Sequence, residues 1–278
     1  MKPAPFDYLR PRTLAEACAA LKTADGGAKL IAGGQSLGPM LNLRLVQPRL
    51  LVDISGLEAL HAFSETADAL HLGAGLTAAN IEDQRIDTRA VPLLQRVAAG
   101  IAYRAVRNRG TVGGSLTHAD PAADWVNLMP ALGARYELAG PAGSRTVAAA
   151  DFMTAAFETL LAEDEVLSTI IVPKPAPGTR LGHAKIARKT GKFAMAIAVV
   201  VAEPDGGTCR ALIGATHGRP ILVEDAGARF GLGTGRLDEP GLAGLLADAG
   251  ITTPAARHLH LTALRRAAAE AFPQAIPS

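Results

Sequence analysis

The adjacent glycines Gly33 and Gly34 lie between the strand-forming triplet Lys29, Leu30 and Ile31 and residues 37–45, whose apolar spacing is helical. Pro39 falls early enough in that stretch to be tolerated in a first helical turn. Residues 49–54 read as a second strand, and residues 14–21, behind the N-cap candidate Thr13, as a short helix. The opening of the chain therefore predicts a β-loop-α-β unit whose glycine loop lies at a strand end, where α/β folds bind ligands.

The loop itself, Ala32, Gly33, Gly34, Gln35, Ser36 and Leu37, joins paired glycines to one amide and one hydroxyl side chain. A diphosphate needs that combination: backbone N–H groups that approach closely because no Cβ intervenes, with side-chain donors added. A helix starting at Ser36 would also turn its positive end toward an anion. A tight strand-to-helix turn is the plainer use of such a loop. A second segment repeats the chemistry, however: Thr111, Val112, Gly113, Gly114 and Ser115. Together with Gly110 it places three glycines in five positions, which is costly in chain entropy unless the backbone must approach something closely. Two such loops predict one nucleotide diphosphate held from two sides.

Asp120 and Pro121 read as the start of a helix over residues 122–132, with Asp120 as its cap. Asp124, one turn further on and directed back toward the glycines, is placed to accept a ribose hydroxyl. Use of His118, Asp120 and Asp124 as a metal site is disfavoured, because a metal needs more converging ligands. The hexapeptide Gly73, Ala74, Gly75, Leu76, Thr77, Ala78 matches a dinucleotide fingerprint in form only. Its flanking strand is short and no acidic residue follows at the required distance, so it reads as a turn capped by Thr77.

With 278 residues the chain calls for two or three compact units. Strand-length pieces over 60–73, a helix over 91–101, strands over 135–138, 146–147 and 166–172, and helical spacing over 152–161 give an α+β middle section. Three prolines within residues 173–178 mark a linker. Beyond it, strands over 182–188, 195–202 and 208–215, with a Pro204-Asp205-Gly206-Gly207 hairpin signal, predict a three-stranded antiparallel sheet. Helices over 221–230, 239–249 and 254–272 would cover it. The predicted units are 1–173, subdivided near 56 and 57, and 179–278. In the basic turn Arg188, Lys189, Thr190, Gly191, Lys192, Phe193, the Phe193 ring is free to stack on a planar group, with Lys185 reaching a polar edge.

A net charge of +2 without a dense basic block gives no case for nucleic acid. The longest apolar run, residues 193–202, is too short to span a bilayer, and no signal-peptide core opens the chain, so a cytoplasmic protein is expected. Cys18 and Cys209 lie far apart, so an iron–sulfur cluster or structural zinc would have to sit on another polypeptide.

Taken together, IAGGQSLGPMLNLRL, the following LVDIS, the stretch TVGGSLTHADPAADW and the turn RKTGKFA resemble the FAD-binding medium subunits of the molybdenum hydroxylases, the xanthine dehydrogenase and carbon monoxide dehydrogenase family. The resemblance covers essentially the whole chain. It implies a two-part FAD-binding region of the vanillyl-alcohol oxidase type followed by a C-terminal domain with a small sheet and helices. By the same likeness both glycine segments wrap the FAD diphosphate, Asp124 holds the adenosine portion, Lys185 approaches the flavin, and Phe193 stands where a tyrosine commonly shields the isoalloxazine. No side chain is assigned an acid or base role. Gln35 stands where some relatives have a flavin-linked histidine, so FAD is expected to be non-covalent. Ser115 replaces a usual asparagine, and Lys192 a usual acidic residue. The implied assembly is a dimer of heterotrimers. Its large subunit holds the molybdenum cofactor, and its small subunit holds two [2Fe–2S] clusters that pass electrons through FAD to an external acceptor. The competing readings are a self-contained FAD oxidase of the vanillyl-alcohol type and a non-redox nucleotide-binding scaffold.

Overall fold

The computed structural model describes residues 2–204, 207–233 and 237–273. The chain opens with β1 (Asp7–Leu9), α1 (Leu14–Ala24), β2 (Ala28–Ile31), α2 (Leu37–Asn42) and β3 (Leu50–Asp53). The Thr13 hydroxyl accepts from the Glu16 N–H and starts α1 as its sequence predicts. The three strands form a parallel sheet in the order β1-β3-β2, so the predicted β-loop-α-β unit gains an edge strand. Parallel pairing puts the carboxyl ends of all three strands at one edge, and the first glycine loop leaves β2 there.

The middle section runs β4 (Phe63–Glu65), β5 (Ala69–Gly73), α3 (Ala78–Glu82), α4 (Leu93–Gly100), α5 (Arg104–Arg107), α6 (Val112–His118) and α7 (Asp124–Ala131). It continues with β6 (Arg135–Gly140), β7 (Gly143–Ala148), α8 (Ala149–Phe152), β8 (Met153–Ala155), β9 (Glu158–Thr159) and β10 (Val166–Pro173). Five strands make an antiparallel sheet in the order β4-β5-β10-β6-β7. Helical spacing over 152–161 misleads: α8 stops at Phe152, and β8 and β9 form a hairpin. Phe157 at its turn has φ +63°, and its N–H donates to Ala119 O at 2.8 Å, a tertiary bond that a continuing helix would forgo.

Beyond the proline-rich link come β11 (Arg180–Ile186), β12 (Ala196–Ala202), β13 (Cys209–Gly214), β14 (Ile221–Val223), α9 (Ala226–Phe230), α10 (Glu239–Asp248) and α11 (Pro254–Ala271). The sheet has four antiparallel strands rather than three, because residues 221–223 extend along β13 instead of opening a helix. Ile221 and Val223 are β-branched and favour that edge position. The predicted turn between β12 and β13 includes Asp205 and Gly206, which lie outside the described residues; on either side of it Glu203 N–H donates to Thr208 O at 3.0 Å.

Every residue of β12 is buried, as expected of a strand covered on both faces. Ile197, Val199 and Val201 join the core that holds Trp125 and Leu128 of α7. Ala196, Ala198 and Val200 face Ala263 and Ala267 of α11. Gly182 permits that second contact: a Cβ there would lie 1.8 Å from Ala267 O. Among the described residues no helix is long and apolar enough to cross a membrane.

Candidate functional site

The first glycine loop holds a row of free donors. Among the described residues no backbone or side-chain acceptor takes the N–H of Gly33, Gly34, Gln35, Ser36 or Leu37. Gly34 has φ +70°, a conformation that suits glycine, and the Gln35 amide donates to Gly33 O at 3.1 Å within the loop. Ser36 occupies the N-cap of α2 without a side-chain cap bond, which leaves its exposed hydroxyl available. Ala32 connects this row to β2 and is half-buried. Consecutive N–H groups turned outward make an anion-binding concavity.

The second segment is built differently from the expectation of a bare loop. Thr111 is the N-cap of α6, and Val112, Gly113, Gly114 and Ser115 form its first turn. All four of their N–H groups are engaged: Val112 with Leu76 O (2.8 Å), Gly113 with Ala74 O (2.9 Å), Gly114 with Thr111 Oγ1 (3.0 Å) and Ser115 with Thr111 O (3.1 Å). Gly113 is a packing residue, since its Cβ would stand 2.5 Å from Ala74 Cβ. Gly114 faces outward, where an added Cβ would meet only Thr111 Oγ1, at 2.7 Å. What this segment offers a ligand is the Gly114 surface, the neighbouring Ser115 side chain and the positive end of a short helix.

The hexapeptide at 73–78 is a turn, as its context suggests. Gly73 and Gly75 are small because Leu60 O lies 2.4 and 2.9 Å from where their Cβ atoms would be, and Thr77 and Asn80 form a capping box. The same turn nevertheless seats the second glycine segment through Ala74 and Leu76, a role the sequence reading missed.

The two glycine segments meet. A Cβ on Gly33 would lie 1.8 Å from Arg109 O, and the Gly110 Cβ position lies 3.8 Å from Gln35 Cγ. Ion pairs hold the chain just before this seam: Arg107 binds Glu82 and donates to Ile101 O (2.9 Å) and Ala102 O (3.2 Å), while Arg104 binds Glu82 and Asp83. The Arg107 guanidinium holds the Glu82 carboxyl below its ordinary range. No local pattern reveals the ion pairs, whose partners are more than twenty residues apart.

Asp120 does not cap α7 as expected. Ala123 is the N-cap, and Asp120 closes a turn by accepting from the Ala122 N–H at 2.9 Å. Asp124 is 8% exposed and pairs with Lys185 Nζ at 2.8 Å; Lys185, 14% exposed, also reaches Gly100 O at 3.5 Å. Burial raises the Asp124 carboxyl above its ordinary pKa, and the Lys185 charge opposes that rise. Asn127, fully buried, donates to Pro121 O and Ala123 O, both at 2.8 Å, and so fixes the loop that carries Asp124. His118 packs against the Phe157 ring, and no group of three or more metal-ligating side chains converges among the described residues.

Phe193 follows the turn between β11 and β12, which rests on residues 102 and 103: a Cβ on Gly191 would lie 2.7 Å from Ala102 O and 3.3 Å from the Tyr103 ring. The elements carrying Lys185, Phe193, Asp124 and both glycine segments therefore adjoin one strip of chain, residues 100–124.

Five consecutive N–H groups without an acceptor among the described residues, at the carboxyl edge of a parallel strand and with a second glycine segment packed against them, suit a phosphorylated nucleotide. The donor set fits the diphosphate of a dinucleotide such as FAD, and Gly33 and Gly113, which frame it, cannot carry side chains without collision. Residues 4–175 match the family model for the FAD-binding domain in molybdopterin dehydrogenase. The chain is 38% identical over 260 residues to the carbon monoxide dehydrogenase medium chain of Afipia carboxidovorans, covering 92% of this chain and 89% of that one. It is 33% identical over 202 residues to the caffeine dehydrogenase subunit beta of a Pseudomonas species, covering 72% and 68%. Among solved structures, quinoline 2-oxidoreductase from Pseudomonas putida matches with a TM-score of 0.83 at 32% identity, covering both chains in full. Reconstituted CO dehydrogenase from Oligotropha carboxidovorans matches at 0.86 and 31%, covering 99% and 100%. The chain belongs to the FAD-binding medium subunits of the molybdenum hydroxylases, and it is an oxidoreductase component whose cofactor is FAD.

Proposed function

We propose that this chain carries electrons between two partners of a heterotrimer. They enter from the [2Fe–2S] clusters of a small subunit, after substrate hydroxylation at the molybdenum cofactor of a large subunit, and leave to an external acceptor. Bound FAD would supply a two-electron store between them. The chain's own residues bind and orient it. The N–H row of residues 33–37, with the side chains of Gln35 and Ser36, takes the diphosphate; Gly114 and Ser115 face it from the other side, on a helical turn that Thr111, Val112 and Gly113 anchor. Asp124 supports the adenosine portion, Lys185 stands near the flavin, and Phe193 covers the ring. Ala32 and Leu37 shape the ends of the first loop.

Gln35 offers an amide, which forms no histidyl–flavin bond, so FAD is held non-covalently. We further assign a two-part region of the vanillyl-alcohol oxidase type to residues 1–173, divided near 56, and a second unit to 179–278. A cytoplasmic dimer of heterotrimers completes the reading. The unsatisfied N–H groups of the first loop carry it, because five adjacent donors have no other evident use. The test is to purify the chain alone: a flavin absorbance spectrum, FAD released by acid precipitation, and no turnover of substrate with a dye are expected. Unaided turnover would establish a self-contained oxidase instead, and a colourless preparation that fails to take up FAD would leave only a scaffold.

A further inference from the structure

We infer that the turn over residues 188–195, with Tyr103, docks an acidic electron-carrier protein as the acceptor of this subunit. Three cations gather there without a carboxylate: Arg188, Lys189 and Lys192 are exposed and enter no ion pair among the described residues. Their neighbours Arg104 and Arg107 do the opposite and bind Glu82 and Asp83. Lys192 Nζ instead lies 5.9 Å over the Tyr103 ring. Apart from Phe193, which the flavin ring would cover, large apolar side chains are exposed among these charges: Tyr103 at 51% and Met195 at 42%, two of the eight large hydrophobics exposed on the described surface. Aromatic and methionine side chains ringed by cations match the composition of protein interfaces. A turn this open cannot enclose a small neutral acceptor, which needs a concave site. Charge complementarity therefore selects a partner that is a protein and is acidic.

The turn rests on residues 102 and 103, at the head of the strip that leads to both glycine segments, so a docked carrier stands beside the cofactor-binding region. The inference rests on the FAD-carrying reading. Two single-electron carriers dock in succession for each two-electron reoxidation of the subunit, and the protons go to water.

The test uses the FAD-loaded chain and the assembled three-subunit complex, titrated calorimetrically with plant-type [2Fe–2S] ferredoxin as the acidic probe and cytochrome c as the basic one. Ferredoxin binding that weakens with salt is expected in both preparations. K192D and K189E should each weaken it about tenfold while flavin content and melting temperature stay at wild-type values. The inference falls if cytochrome c binds as tightly as ferredoxin, if the charge-reversal variants bind like wild type, or if the complex loses the binding that the chain alone shows. Loss of flavin colour in the wild-type chain would instead overturn the underlying function, so the two failures are distinguishable.

Discussion

Replacing Lys185 with methionine removes the cation paired with Asp124 while keeping side-chain length. The pair is tight, 2.8 Å from Nζ to Oδ2, and neither side chain is more than 14% exposed. Leaving a buried charge without its partner typically costs about 3–5 kcal/mol. In a domain of this size each kcal/mol lowers the melting temperature by about 2–4 °C, so the expected loss is about 6–20 °C. The loss should depend on pH. Burial already raises the Asp124 carboxyl, and without the ammonium it rises further. A folded-state pKa above the unfolded one makes the fold favour the protonated form, so the penalty is full at neutral pH and shrinks as pH falls toward the unfolded value of about 4. Thermal melts of Lys185→Met at intervals between pH 8 and pH 5 provide the assay. The double variant Lys185→Met with Asp124→Asn should recover most of the stability, since replacing both partners leaves no stranded charge. A destabilisation that is the same at pH 5 and pH 8, or a double variant no better than the single, would refute the reasoning. FAD retention in the stable double variant then reports whether Asp124 touches the adenosine portion or only positions its surroundings.

Gly33→Ala should lower both melting temperature and flavin stoichiometry, because its Cβ would stand 1.8 Å from backbone at Arg109 O and the two glycine segments must separate; wild-type values for both would contradict this. Gly113→Ala should destabilise more than Gly114→Ala, since the first strikes Ala74 and the second meets only the Thr111 hydroxyl; equal melting temperatures would argue against the packing role of Gly113. His183 is held neutral by burial, with Arg96 adding to the effect, and its pKa falls from 6.5 to about 4. A depressed folded-state pKa contributes stability that is present above about 6.5 and lost as pH falls through about 4; His183→Gln should flatten the stability profile across that window.

The first glycine loop was readable because its requirement is local: strand, paired glycines and helix start follow one another within a dozen residues. The fully apolar β12 was readable for the same reason, as an unbroken run implies cover on both faces. The second glycine segment reads as a loop in the sequence but is the first turn of a helix. Its conformation is set by Ala74 and Leu76, whose carbonyls take the N–H groups of Gly113 and Val112 from more than thirty residues away. Residues 152–161 carry helical spacing, yet Phe157 and Leu160 bond to Ala119 and Phe152 in a hairpin. The fourth strand was lost inside a longer helical pattern because three residues give too short a period. Asp124 stood out in the sequence as a candidate, but its partner Lys185 lies across the proline-rich link, and no spacing rule connects the two. Asn127 carried no signal at all: one amide within an apolar helix gives no sign that it holds two carbonyls.

The stretch that matches the FAD-binding family model ends at residue 175, whereas Lys185 and Phe193 lie beyond it. Alternation along β12 explains how the later sheet meets Asp124. The side chains of Ile197, Val199 and Val201 enter the core around α7, while Ala198 and Val200 enter the core beneath α11. A one-residue slip of β12 would exchange those faces and place small alanines against Trp125. The register Lys185↔Ile197 is therefore fixed by packing on both sides of the sheet, and it is this register that carries the ammonium of Lys185 to the buried carboxylate of Asp124. Asn127 completes the constraint from the other side, on a helix whose Trp125 and Leu128 are already locked into the shared core. The ion pair is thus a consequence of two interlocking cores, and a shift in either one reaches the candidate cofactor site through it.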